Sequence, residues 1–140
     1  MIPRQMGEIV RNQNPLVFPE TTIVQEASCS MRDRRVGAVL VTDASGRLAG
    51  IFTGRDAVCR VLAAGLDPTL TTLAEVMTRK PDVMPSGRNA VEALRMMQDG
   101  GYRHVPVVDG EKIVGIVSRG DFRGLEQARL DEETGLWERV

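Results

Sequence analysis

Apolar and polar positions along the chain follow two rhythms. Ala90, Ala93, Leu94 and Met97 fall at i, i+3, i+4 and i+7, the stripe of an amphipathic helix, and Gly100-Gly101 supplies its stop. Val24, Ala27, Ser28 and Met31 hold the same places earlier in the chain. Behind each stripe come two β-rich runs around a tight polar turn: Ala38 to Thr42 then Arg47 to Phe52, and His104 to Val108 then Lys112 to Val117. Asp109-Gly110 is a strong hairpin signal and Ser45-Gly46 a weaker one. Each pair of runs leads into a second predicted helix, Gly54 to Ala64 and Arg119 to Ala128. A short extended segment, Leu16 to Phe18 or Asp82 to Met84, precedes each first helix, so the order β-α-β-β-α occurs twice.

The order recurs because the residues do. Gly50-Ile51-Phe52-Thr53-Gly54-Arg55-Asp56 returns as Gly115-Ile116-Val117-Ser118-Arg119-Gly120-Asp121, a displacement of 65 residues. Val17-x-Pro19, Ala27 and Met31 return as Val83-x-Pro85, Ala93 and Met97, displaced by 66. The odd residue falls in the turn Asp43 to Arg47, which Asp109-Gly110-Glu111 answers in shorter form. Such a repeat fixes the architecture: an α+β fold of two half-domains, 6–66 and 72–128, expected to pack as pseudo-twofold partners. Gly65-Leu66-Asp67-Pro68-Thr69 joins a helix stop to a proline and reads as the linker. The tail 129–140 lies outside the repeat and carries Leu136 and Trp137, which are suited to docking on their own domain or on a second protomer.

Composition narrows the field. At 140 residues, neither half would bury enough apolar surface alone, and with 4% aromatics the core must come from Val, Ile, Leu, Ala and Met. A net charge of -1, with no basic tail, gives no reason to expect nucleic acid or a membrane surface as partner. Cys29 and Cys59 lack metal-ligand spacing and read as reduced, buried thiols in a cytoplasmic protein. No stretch approaches the roughly twenty apolar residues that span a bilayer.

The chemistry concentrates at Thr53-x-x-Asp56 and Ser118-x-x-Asp121, where an apolar strand gives way to a helix. Unpaired N–H groups there favour an anion, and a carboxylate can accept both hydroxyls of a ribose diol. The alternative is plain capping, with Thr53 or Ser118 as N-cap and Asp56 or Asp121 closing the first turn. Recurrence favours the first without removing the second, since duplication copies caps too. The run Arg32-Asp33-Arg34-Arg35 suits a helix C-terminus better than a binding patch, and Met31, Met96 and Met97 suit core filling.

Arg103-His104-Val105-Pro106-Val107-Val108-Asp109, followed by Lys112 to Ser118-x-x-Asp121, resembles one unit of a tandem CBS domain pair, or Bateman module. Val36 to Asp43, followed by Leu48 to Thr53-x-x-Asp56, resembles the other. The resemblance runs from about Met6 to Gln127 and implies a regulatory module for adenosine compounds: AMP, ADP, ATP or S-adenosylmethionine. It implies clefts drawing on both repeats, one from Ile116, Ser118 and Asp121 with Thr22, Ala27, Val36 and Gly37. The other takes Ile51, Thr53 and Asp56 with Arg88, Ala93, Tyr102 and Arg103. Phosphates would meet Arg55, Arg103 and His104, guanidinium forks being suited to phosphate oxygens. Gly37-Ala38 stands where the second repeat has Arg103-His104, so the clefts are expected to differ.

With no effector domain visible, output would pass through another protein, and the resemblance implies a homodimer joined through helices 54–64 and 119–128. The competing reading is an assembly module with degenerate pockets. An enzyme is the least supported: one His, no acid pair beside a nucleophile, no metal cluster and no phosphate loop.

Overall fold

In the computed structural model, which describes residues 4–122, the chain runs α1 (Met6–Ile9), β1 (Val17–Pro19), α2 (Val24–Arg34), β2 (Ala38–Thr42), β3 (Leu48–Thr53) and α3 (Gly54–Asp56). A π-helical stretch (Ala57–Leu62) continues α3; then come α4 (Leu73–Val76), β4 (Thr78–Arg79), α5 (Ala90–Gly100), β5 (His104–Asp109), β6 (Lys112–Ser118) and a 3-10 turn (Arg119–Asp121). The fold is α+β, in two compact units: residues 14–81, and residues 4–13 with 82–122. Most of the predicted helix 119–128, and the whole tail, lie outside the described residues.

The first unit is a four-stranded sheet in the order β1-β2-β3-β4. β1 runs parallel to β2, with Val17 opposite Leu40; β2 and β3 form the predicted hairpin, with Leu40 opposite Ile51. Asp43 closes its turn, Oδ1 accepting the amides of Ser45 and Arg47 at 2.8 and 3.1 Å. The apolar stripe of α2 (Val24, Ala27, Met31) meets Val39, Val41 and Phe52 in the core. Phe52 is fully enclosed, a burial that contributes about 1.5–3 kcal/mol.

The second unit repeats the plan. β5 and β6 form a hairpin, and Met84 bridges Val107 in parallel, the counterpart of β1 against β2. Both hairpins shift register at the same point, between Val41 and Thr42 and between Val107 and Val108. Asn89 caps α5 by accepting the Glu92 amide at 2.9 Å, and Gly101, at φ 71°, ends it in the left-handed region. Ala90, Ala93 and Met97 on α5 pack with Val105, Val107 and Val117.

Two features depart from the sequence expectations. The segment leading into each repeat carries structure of its own, and it sits in the unit formed by the other repeat. α4 and β4 stand at the head of the second repeat, 72–128, yet pack in the first unit, where Leu73, Val76 and Met77 join the core and β4 pairs with β3. Residues 6–13, which the sequence boundaries place at the head of the first repeat, instead pack in the second unit, with Met6 and Val10 in its core. The second departure concerns the predicted helix 54–64, which widens after Asp56: Ala63 N–H donates to Val58 O, five residues back, at 2.8 Å. Only Val61 of that stretch is buried, so Cys59 is exposed rather than buried, and Cys29 is half-buried; both are free thiols.

Candidate functional site

Each unit brings its hydroxyl-x-x-Asp motif together with the start of its first hairpin strand. In the first, Ala38 lies opposite Thr53, and Gly54 N–H donates to Gly37 O at 3.1 Å. In the second, His104 lies opposite Ser118, and Arg119 N–H donates to Arg103 O at 2.9 Å. Within each unit, pairing between strands therefore holds Gly37 beside Thr53 and Arg103 beside Ser118.

The carboxylates sit in capping geometry at both points. Asp56 Oδ2 accepts the Thr53 amide at 3.0 Å and its hydroxyl at 3.2 Å, while the Asp56 amide donates back to Thr53 Oγ1 at 3.2 Å. Asp121 Oδ2 accepts the Ser118 amide at 2.8 Å and its hydroxyl at 3.3 Å. The cap reading is thus realised, but it uses one oxygen of each carboxylate. Asp56 is buried and Asp121 exposed. Arg60 pairs with the remaining oxygen of Asp56, its Nε 3.5 Å from Oδ1, and no counterpart stands on Asp121 among the described residues.

The other named residues divide by exposure. Val36 and Gly37, Arg55, Arg88 and Arg103 are exposed, and Thr22, Ser118, Ile116 and Tyr102 half-buried, so all are available to a ligand. Ile51 is buried between its partners Leu40 and Thr78. Ala27 and Ala93 are fully enclosed in their cores, where they set the shape of a wall rather than its surface.

Arg88 pairs with Glu92 at 3.1 Å, and the Tyr102 hydroxyl donates to Asp82 Oδ2 at 2.7 Å. These side chains border an open groove of about 490 Å³ that Met84 and Met96 also line. Burial first, then the Asp82 hydrogen bond, raises the Tyr102 pKa well above the usual phenol value, so the hydroxyl stays a donor. His104 is held below the ordinary imidazole value, mainly by burial and then by Arg103, with Asp121 opposing. At neutral pH its ring is uncharged.

Two residues that sequence reasoning missed act on these sites. Arg60 stands four residues after Asp56, a helical ion-pair spacing readable in the sequence. Gln13 carried no signal. Its side-chain amide accepts the Ile116 N–H at 2.7 Å and donates to Ile116 O at 2.9 Å, across 103 residues of chain. It does for β6 what the β4 backbone does for β3. Arg4 adds a bond to Asp121 O at 3.0 Å. Among the described residues no group of His, Cys, Asp and Glu is placed to hold a metal ion, and no helix is long and apolar enough to cross a membrane.

Two stretches of the chain, residues 6–62 and 73–126, match the family model of the CBS domain. The chain belongs to the CBS domain family. A CBS domain-containing protein of Arabidopsis thaliana is 42% identical over 108 residues, covering 77% of this chain and 19% of the relative. The protein YlbB of Bacillus subtilis is 37% identical over 105 residues, covering 74% of this chain and 70% of the relative. The chain spans about a fifth of the length of the plant relatives it matches. Among solved structures, a CBS domain protein from Pyrobaculum aerophilum complexed with AMP shares the fold. Its TM-score is 0.81 at 23% identity, over 91% of this chain and 98% of that one. Each CBS match therefore opens on a segment housed in the opposite unit: α1 for the first, α4 and β4 for the second.

Proposed function

We propose that this CBS domain pair is a regulatory, non-catalytic module that binds an adenosine-containing nucleotide (AMP, ADP, ATP or S-adenosylmethionine) and signals to a partner protein in the cytoplasm. The observation that carries the reading is the repeated hydroxyl-x-x-Asp, held beside a strand start in both units. A carboxylate oriented by its own N-cap residue is pre-set to accept the hydroxyls of ribose. Arg103 and Arg55, both exposed, are the proposed phosphate contacts, with His104 a neutral neighbour. The AMP complex of the Pyrobaculum protein lends the ligand class support through the shared fold. Homodimerisation is proposed through the π-helical stretch, where Val58 and Leu62 stand 57% and 68% exposed.

The cap geometry also favours a second reading, an assembly module whose aspartates serve only their own turns. Isothermal titration of the nucleotide-stripped chain with AMP, ADP, ATP and S-adenosylmethionine separates the two. Saturable binding of one compound is expected; dimerisation with no binding by any makes the assembly reading correct. Release of ADP or AMP from ATP in proportion to protein would overturn the non-catalytic assignment.

A further inference from the structure

We propose that Arg60 closes the carboxylate of the first repeat, so that the chain takes one adenosine nucleotide, at Asp121, and gains a second site only when Arg60 is removed. The inference rests on the nucleotide reading above and assigns which repeat supplies the working carboxylate. The two aspartates begin alike, each Oδ2 taken by the amide and hydroxyl three residues earlier. Their difference lies at Oδ1.

At Asp56, the oxygen that a ribose hydroxyl would need faces the Arg60 guanidinium at 3.5 Å. The same guanidinium is anchored elsewhere: its Nη1 donates to Val76 O at 3.4 Å and to Met77 O at 3.1 Å, where α4 ends. An arginine fixed by two carbonyls and a carboxylate does not rotate away by giving up one weak contact. A diol entering here would exchange a charge-assisted interaction for neutral hydroxyl donors, in a place where Asp56 is only 8% exposed. Asp121 is exposed, and among the described residues of its own unit no ion pair is made to its carboxylate. The sequence repeats the contrast, because the residue four beyond Asp121 is Leu125, which has no charge to offer.

The test is a calorimetric titration of the full, nucleotide-stripped chain with AMP and with ATP, reading stoichiometry. Wild type is expected to bind one nucleotide per chain, with the Asp56 site weaker by about ten-fold or more. D121N should abolish that binding, R60L should take two nucleotides, and R60L combined with D121N should take one. Two equivalent sites in wild type, a folded R60L that still binds one, or binding that survives D121N would each overturn the assignment to Arg60 while leaving the nucleotide reading standing. Failure of wild type and R60L alike to bind either probe sinks the nucleotide reading and this inference with it. Should R60L fail to fold, as judged by circular dichroism, the wild-type stoichiometry and the D121N result decide.

Discussion

Replacing Gly115 by alanine tests whether the segment 4–13 is a working part of the second unit. A Cβ built at Gly115 would lie 2.6 Å from Gln13 Oε1, 2.7 Å from Val10 Cβ and 2.9 Å from Val10 Cγ1. Ordinary contacts begin near 3.4 Å. Val10 is 3% exposed and cannot retreat without drawing α1 off the core it closes with Met6. Overpacking of this kind costs about 1–3 kcal/mol. Displacing Gln13 removes two hydrogen bonds to Ile116, each contributing about 0.5–1.5 kcal/mol. Against these stands a gain of about 0.4–1 kcal/mol from stiffening the unfolded chain. The balance is a loss of about 1–5 kcal/mol, centred near 3, a large share of the roughly 5–15 kcal/mol that holds a domain folded.

Urea denaturation of G115A beside wild type measures that loss, and amide hydrogen exchange at Met6 and Gly7 shows whether the segment has come loose. Those amides donate to Arg88 O and Ser86 O at 2.8 and 2.9 Å, so they should exchange faster in the variant. G54A is the control: its Cβ meets nothing within 4 Å, so its stability should match wild type or exceed it by up to about 1 kcal/mol. G50A should behave like G115A, since its Cβ would sit 2.7 Å from the Thr78 carbonyl oxygen. A G115A chain as stable as G54A, with unchanged exchange at Met6, would refute the packing argument.

Gln13→Ala leaves Gly115 uncrowded but opens the edge of β6; a loss of about 1–2 kcal/mol in urea and faster exchange at the Ile116 amide are expected, and unchanged exchange would count against the clamp. Thr53→Ala removes the reciprocal box at Asp56 and should lower the urea-derived stability by about 0.5–2 kcal/mol, whereas Thr53→Ser should recover most of it. His104, with its folded pKa below 6.5, stays neutral while the unfolded chain takes up a proton, so the unfolded state binds more protons as pH falls through 6.5. Stability should therefore be level above that pH and decline below it; His104→Gln should flatten the decline, and a wild type that grows more stable between about pH 7 and about pH 5.5 would show the sign to be wrong.

Much of this architecture could be read before any coordinates. Helices α2 and α5 and the two hairpins follow from local periodicity, where apolar residues at helical or alternating spacing leave one solution. The motif ends, with Thr53 and Ser118 as N-caps, follow from local capping chemistry. The leading segments did not emerge, for different reasons. α4 carries a capping box, Thr72 with Glu75, but only four residues follow it, too few for a periodic stripe. α1 lacks even the box, since Gln5 stands at its N-cap. The widening after Asp56 depends on hydrogen bonds five residues apart, which no residue type announces. Cys59 is exposed because it stands on the side of the stretch opposite Ala57 and Val61, the two positions that meet the core.

The same local logic explains why the candidate site was easier to find than to rank. Both aspartates follow a strand-ending hydroxyl by three residues, and sequence gives them equal standing. What separates them is a long-range environment. Asp56 is followed by a π-helical stretch that presents Arg60, and Arg60 reaches carbonyls at the end of α4, a segment leading into the other repeat. Near Asp121, residues 4–13 take the corresponding place, but they contribute Gln13 to Ile116 and Arg4 to the Asp121 carbonyl, and among the described residues of that unit only Ser118 bonds the carboxylate. The duplicated core thus keeps two motifs alike, while the unlike leading segments packed on them make one aspartate a structural ion-pair partner and the other an accessible acceptor. A cut at the repeat boundary, anywhere from 66 to 72, would leave residues 4–13 on one fragment and the core they close on the other. The surroundings of each aspartate are therefore completed by a segment from outside its own repeat core.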